Sequence, residues 1–153
     1  MSDRRDAAIA STGHPCYRIA MQLWTNPLTS HLRAPGLWLS ACLLEALAIF
    51  ILSVIPSVGG DINSGTLSHC LAYGTLSCIT GMYLNLKEVP RCLIKGALLA
   101  ALYGACMELI QYFIPYRTCQ FGDIVVNCLA ALAGMAPAAL LRAVLAAQQQ
   151  PPA

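Results

Sequence analysis

Polar and ionisable side chains recur at short intervals between two long apolar runs of this sequence. They are Glu108, Gln111, Arg117, Asp123 and Asn127. A guanidinium beside amides and acids can bind an anionic head group, and the acids can also exchange protons with a substrate. Because ionisable groups in hydrocarbon cost several kcal/mol each unless they are paired or hydrated, this grouping predicts a functional site.

The composition favours a membrane protein over a soluble globule. The chain has 153 residues, of which 58% are hydrophobic and 10% are charged, and this balance is typical of polytopic membrane proteins. The formal net charge of +2 is small and scattered, so nucleic acid is not expected as a partner. The eight cysteines include no Cys-x-x-Cys pair, which argues against a disulfide framework or a zinc finger. Cys119, in a connecting loop, is the thiol expected to be exposed.

Four apolar segments are long enough to cross a bilayer core, which takes about 20 helical residues. They are residues 36–56, 66–86, 92–114 and 122–145. These segments predict an all-α polytopic membrane protein with four transmembrane helices in an antiparallel bundle. Residues 1–35 then form a polar N-terminal segment, 36–146 the transmembrane domain and 147–153 a disordered tail.

The distribution of lysine and arginine predicts which side of the membrane each connection faces. Basic residues concentrate in the N-terminal segment and in the connection 87–95, whereas the connection 57–65 has none and 115–121 has Arg117 alone. Because cytoplasmic loops carry the excess of Lys and Arg, both termini and the 87–95 connection are predicted to be cytoplasmic. The expected location is the inner (plasma) membrane.

With this topology, polar residues from distant parts of the sequence converge near the outer ends of the helices. The predicted ligand-binding set is Arg117, Glu108, Gln111, Asp123, Asn127, His69 and Tyr73. At a rise of about 1.5 Å per residue, Glu108 and Asn127 both lie roughly 10 Å or less below the outer helix ends. Within each helix the polar residues are three or four apart and therefore share one face.

Structural roles remain open for several of these residues. Glu108 and Arg117 can pair simply to hold two helices together, and Asp123 near a helix start can act as an N-cap. Asn127 can form an interhelical hydrogen bond, which is the usual role of a buried membrane amide. Glu45 lies in the middle of the first segment and needs a partner that the sequence does not identify.

Two kinds of catalytic site have weak support. A metal site of His69, Glu108 and Asp123 is conceivable, but the spacing lacks a His-x3-His or Glu-x2-His pattern, so neither a metal nor another cofactor is expected. Ser64, Ser68 and Ser77 near His69 suggest a Ser-His-Asp hydrolase, but no nucleophile-elbow sequence is present.

The polar residues form one extended motif. It runs Glu108-x2-Gln111-x5-Arg117-x5-Asp123-x3-Asn127-x6-Gly134 and is preceded by His69-x3-Tyr73. Over roughly residues 50–136 this pattern resembles the VanZ-like family of small bacterial integral membrane proteins. The family typically has an Asp-Lys pair four and three positions before the His, where this chain has Gly65 and Thr66, and Asp61 lies four residues further back. The resemblance implies a helical integral membrane protein. The founding member of the family is associated with teicoplanin resistance, and the resemblance therefore implies action at the outer surface of the envelope.

The leading hypothesis is an outward-facing polar pocket that binds an amphiphilic envelope ligand, either a lipid head group or a lipid-linked wall precursor. Arg117 would recognise its phosphate or carboxylate. The first alternative is a small membrane enzyme in which Glu108 or Asp123 acts as acid or base and His69 as proton shuttle. The second is a scaffold whose polar cluster only joins helices. A channel or transporter is disfavoured, because no inverted repeat or broken helix pair is evident.

Overall fold

In a computed structural model, residues 31–56, 62–117 and 120–147 are described, and they are helical with no strand among them. The helices are α1 (Pro35–Val54), α2 (Ile62–Leu86), α3 (Cys92–Tyr112), α4 (Phe121–Ala133) and α5 (Met135–Ala147). The predicted all-α class is therefore confirmed for this part of the chain. The predicted N-terminal segment falls mostly, and the predicted tail almost wholly, outside the described residues.

Three helical stretches have the length and apolarity to cross a membrane. They are Pro35–Val54, Cys92–Tyr112 and Phe121–Ala147, the last being α4 and α5 taken together. The predicted segment 66–86 is confirmed as part of the 25-residue helix α2, but α2 is not among these three, because it carries more polar residues. Its membrane crossing therefore stays a prediction.

Helix α2 is the central helix of the fold, since it packs against each of the other four. Polar side chains on its inner face are buried: Ser77 is 1% exposed and its hydroxyl donates to the carbonyl of Ala131 at 2.7 Å. A central helix is shielded from lipid by its neighbours, so it can carry such groups as long as each finds a partner.

Close approach between α2 and α3 depends on glycine. A Cβ atom on Gly96 would lie 2.6 Å from the backbone nitrogen of Gly81 and 2.7 Å from its Cα. Further along the same face of α3, Ala100 is buried and Gly104 lies against Asn127 of α4. Small residues at spacing four therefore let the helix backbones meet, as in many membrane bundles.

The outer surface of the helices is rich in leucine. Leu43, Leu44 and Leu52 of α1 are each more than 60% exposed, as are Leu98 and Leu102 of α3. So much exposed apolar area is unusual for a soluble monomer and suits contact with lipid chains. Glu108 and Gln111 of α3, by contrast, are buried.

The fourth predicted segment, 122–145, is divided rather than continuous. The helix is interrupted at Gly134, although the Gly134 amide still donates to the carbonyl of Ala130 at 2.9 Å. Pro137 has no amide hydrogen, so it cannot donate to the carbonyl of Ala133, and its ring crowds that carbonyl. The same turn comes so close to α2 that a Cβ on Gly134 would overlap the carbonyl of Gly74.

Candidate functional site

Three helices each contribute one chemically active side chain to a single point. They are His69 of α2, Glu108 of α3 and Asp123 of α4, and one ligand atom from each lies within 4.8 Å of the others. Glu108 is only 1% exposed, whereas His69 and Asp123 are half-buried. We call these three residues the acid–histidine cluster. Local sequence spacing does not reveal it, because each residue comes from a different helix.

Asn127 fixes the orientation of the histidine. Its Oδ1 atom lies 2.8 Å from Nδ1 of His69, and the Asn127 side chain is fully buried. With the amide oxygen as acceptor, Nδ1 carries the proton and Nε2 presents a free lone pair. The predicted interhelical role of Asn127 is thus seen, and the partner it holds is a member of the cluster.

Glu108 is the most buried acid of the cluster and has the fewest partners. Neither of its carboxylate oxygens has a hydrogen-bond partner among the described residues. The backbone amide of Gln120, at the start of α4, lies near the carboxylate but does not meet hydrogen-bond geometry. An uncompensated buried charge costs several kcal/mol, so this carboxylate requires a cation or a proton.

An aromatic ring and a glycine form the wall beside the cluster. The Tyr73 ring is buried, and its centroid lies 5.9 Å from that of the His69 ring. A Cβ on Gly104 would lie 3.0 Å from Cβ of Asn127 and 3.1 Å from Cε1 of Tyr73. Gly104 therefore allows Tyr73 and Asn127 to pack together next to His69.

Gln111 and Arg117 lie with a different group of atoms, at the C-terminal end of α1. Nη2 of Arg117 donates to the carbonyl of Leu52 at 2.8 Å and also to that of Ile55. Nε2 of Gln111 donates to the carbonyl of Ser53 at 3.2 Å. The last carbonyls of a helix have no partner within it, so these side chains cap α1.

Sequence reasoning missed a third member of this cap. The hydroxyl of Tyr116 donates to the carbonyl of Val54 at 2.8 Å. The signal for it was Pro56. A proline at this point stops the helix within apolar sequence, so the last carbonyls of α1 need donors from another segment.

The polar residues of the motif therefore divide into two groups, the acid–histidine cluster and the α1 cap. Glu108 and Arg117 do not pair with each other.

Two further interpretations are corrected by the geometry. Asp123 is not an N-cap: the N-cap of α4 is Gln120, and Asp123 lies in the first turn, where its negative charge still suits the helix dipole. Ser68 and Ser77 are not paired with His69, because Ser68 donates to the carbonyl of Gly65 in its own helix and Ser77 donates to that of Ala131; the side chain of Ser64 lies outside the described part of the chain.

Four further positions were named from the sequence: Glu45, Gly65, Cys119 and Asp61. Glu45 finds the partner that the sequence did not identify, since the Thr75 hydroxyl donates to its Oε1. A Cβ on Gly65 would meet no packed atom within 4 Å, so this position lies in open space. Cys119 and Asp61 lie outside the described residues.

Membrane-length apolar helices, with buried acids and a histidine gathered near the ends of α2, α3 and α4, define a small helical membrane protein. A family model described as VanZ/LLP1 matches residues 50–142. The match covers more than half of the chain, so the protein belongs to the VanZ/LLP1 family, as the motif in the sequence indicated. No curated protein and no solved structure matches the chain.

Proposed function

We propose that this protein crosses the inner (plasma) membrane as an antiparallel four-helix bundle and binds the head group of an amphiphilic envelope ligand. The ligand would be a lipid or a lipid-linked wall precursor, held at the outward-facing ends of the helices. The observation that carries the proposal is the acid–histidine cluster next to an apolar groove. Through the family's founding member, such binding connects to glycopeptide (teicoplanin-type) resistance.

The groove supplies a place for the apolar part of the ligand. It has a volume of about 540 Å³ and runs along α2, α4 and α5. Its lining is Cys70, Leu71, Gly74, Thr75, Cys78, Leu129, Ala130, Ala133, Gly134 and Pro137. Cys70 directly follows His69 along α2, so one end of the groove is level with the polar cluster, and the groove continues toward the bend of the fourth segment. A polar end joined to an apolar groove is the shape that an amphiphile requires.

Arg117 and Gln111 were predicted to contact the ligand, and that role remains a prediction. Both are already hydrogen-bonded to the end of α1, so their first effect on binding is to hold α1 beside the site. His69, Glu108, Asp123 and Asn127 are then the residues that face the head group, with Tyr73 as the wall.

Filling the groove tests this proposal directly. Ala133→Phe places a ring in the groove, whereas Ala139→Phe is the matched control, because Ala139 is exposed on α5 but does not line the groove. Purified proteins are incubated with phosphatidylglycerol and undecaprenyl phosphate, and the retained lipid is measured by native mass spectrometry. We expect roughly tenfold less retained lipid in Ala133→Phe only, since about 1.4 kcal/mol of lost binding free energy is tenfold. Equal retention in the three proteins would contradict the proposal.

Orientation is tested with a new thiol in the 87–95 connection. Pro90 is exposed there, and Pro90→Cys keeps every basic residue, whereas native Cys92 is buried and a poor reporter. In a Cys119→Ser background, an impermeant maleimide should label Pro90→Cys only after the cells are permeabilised. Labelling in intact cells would place the cluster on the cytoplasmic side.

A small membrane enzyme is the second candidate, favoured by the position of His69 beside two carboxylates and by its Nε2, which the bond from Nδ1 to Asn127 leaves free. A histidine between acids can pass a proton to or from a substrate. Release of inorganic phosphate from undecaprenyl pyrophosphate by the wild type, abolished in His69→Gln, would support it. No release by the wild type would remove this candidate for that substrate.

A further inference from the structure

We infer that His69, Glu108 and Asp123 bind a divalent transition-metal ion, with Asn127 as the residue that positions the histidine. Four features support such an ion: the donor set, the unpartnered buried carboxylate, the histidine orientation and the local charge. The metal site itself does not depend on the proposed function, and only its last step, contact with a head group, does.

The three donor atoms can surround one ion. Atoms that are 4.8 Å apart at most have a common point no more than about 2.8 Å from each. Zinc takes nitrogen and oxygen ligands at about 2.0–2.2 Å, so the side chains need to move inward by up to roughly 0.6–0.8 Å. Rotation of the Asp123 and His69 side chains, both only half-buried, can supply that movement.

Glu108 gives independent support for a ligand at this point. Its side chain is almost completely buried, and both oxygens lack a hydrogen-bond partner among the described residues. One of these oxygens is a member of the 4.8 Å group, so the carboxylate is directed into the cluster. Buried charges in proteins are paired or coordinate metals, and a simple surface group of acids would be exposed instead.

The histidine is held as a metal ligand requires. Asn127 occupies Nδ1, which leaves Nε2 as the free donor of a lone pair. Metal-binding histidines regularly use their second ring nitrogen to hydrogen-bond a neighbouring group, which fixes the tautomer and the ring orientation. A fully buried asparagine from α4 performs that function here.

The local charge also calls for a cation. Glu108 and Asp123 place two carboxylates close together, and the basic residue nearest in sequence, Arg117, uses Nη2 to cap α1. A divalent ion would balance both acids and relieve their mutual repulsion. It would also join α2, α3 and α4 at the end of the bundle.

The donor set indicates the class of metal. One imidazole with two carboxylates suits zinc or manganese better than calcium or magnesium, which prefer all-oxygen sites, and better than copper(I), which prefers thiolates. Three protein ligands leave at least one coordination position open. If the proposed function holds, a phosphate oxygen of the head group takes that position.

Manganese is the better probe, because as a hard ion it avoids the cysteines of this chain. Detergent-purified full-length protein is stripped with chelator and titrated with Mn²⁺, and free Mn²⁺ is measured by electron paramagnetic resonance. We expect one Mn²⁺ per wild-type chain and a loss of affinity of roughly 100-fold or more in Glu108→Gln and in His69→Gln. The matched control is Glu45→Gln, which removes another inward-facing carboxylate whose Oε2 is unpartnered, and it should bind like the wild type.

A second readout guards against misfolded variants. Mn²⁺ should raise the unfolding temperature of the wild type and of Glu45→Gln, because a ligand that binds only the folded state stabilises it, and should not raise that of Glu108→Gln. No binding by the wild type, equal binding in Glu108→Gln, or an equal loss in Glu45→Gln would overturn the inference; a proton on Glu108 would then explain its burial. Lipid retention measured on the same preparations tests the proposed function separately: bound Mn²⁺ without a bound lipid would support the metal site and contradict the head-group proposal.

Discussion

The contact between α2 and α3 at Gly96 gives a sharp test of the packing that brings the cluster together. In Gly96→Ala the new Cβ would lie 2.6 Å from the nitrogen of Gly81 and 2.7 Å from its Cα. Non-bonded atoms normally pack at about 3.5 Å, so these distances are too short by roughly 1 Å. Because both obstacles are backbone atoms, no side-chain rotation relieves them, and the two helices must move apart.

The loss of stability in Gly96→Ala can be judged against a matched substitution. Gly65→Ala, in α2, adds the same methyl group where nothing lies within 4 Å. Both variants gain up to about 1 kcal/mol of helix propensity. The difference between their free energies of unfolding therefore reports the steric overlap at Gly96 alone. Overpacking of a well-packed site costs typically about 1–3 kcal/mol, and we expect Gly96→Ala to be less stable than Gly65→Ala by that amount.

Thermal unfolding in detergent, followed by far-ultraviolet circular dichroism, measures this difference. For a chain of this size, about 1 kcal/mol corresponds to a change of about 2–4 °C in the midpoint. Gly96→Ala should also bind Mn²⁺ more weakly, because α2 carries His69 and α3 carries Glu108. Equal midpoints for the two variants would refute the reasoning, since they would show that the helices do not approach each other at Gly96 as the structure has them.

Three further outcomes are expected. Arg117→Lys should lower the free energy of unfolding by about 1–2 kcal/mol, because both bonds to α1 come from Nη2, which lies one covalent bond further from the backbone than a lysine ammonium; stability and membrane abundance equal to the wild type would show that charge alone matters. Asn127→Ala should weaken Mn²⁺ binding by roughly 10–100-fold while leaving helix content unchanged, and unchanged affinity would mean that another group orients His69. Pro137→Ala restores an amide that can donate to the carbonyl of Ala133 and should raise the unfolding temperature; a lower temperature would show that the bend is needed for packing against α2.

The sequence by itself determined the helical class, the family and the layer in which the polar residues meet. In an apolar run of bilayer length, a helix lets the segment hydrogen-bond its own backbone N–H and C=O groups without water. The fixed rise per residue then places residues near helix ends at similar depth, which is why His69, Glu108 and Asp123 were expected in one layer. Gly96, Ala100 and Gly104 stand four apart in the sequence, and helical periodicity, which is local, places them on the one face of α3 that packs in the structure.

Only the tertiary structure decided which polar groups work together within that layer. Arg117 and Glu108 are nine positions apart and of opposite charge, yet Arg117 turns to the end of α1 and donates to carbonyls that lack a partner within that helix. Glu45 finds Thr75 on another helix. Such partners depend on how helices rotate and cross, which is set by packing over the whole bundle and not by any local pattern. The metal-binding geometry of three residues from three helices is visible for the same reason only after the chain has folded.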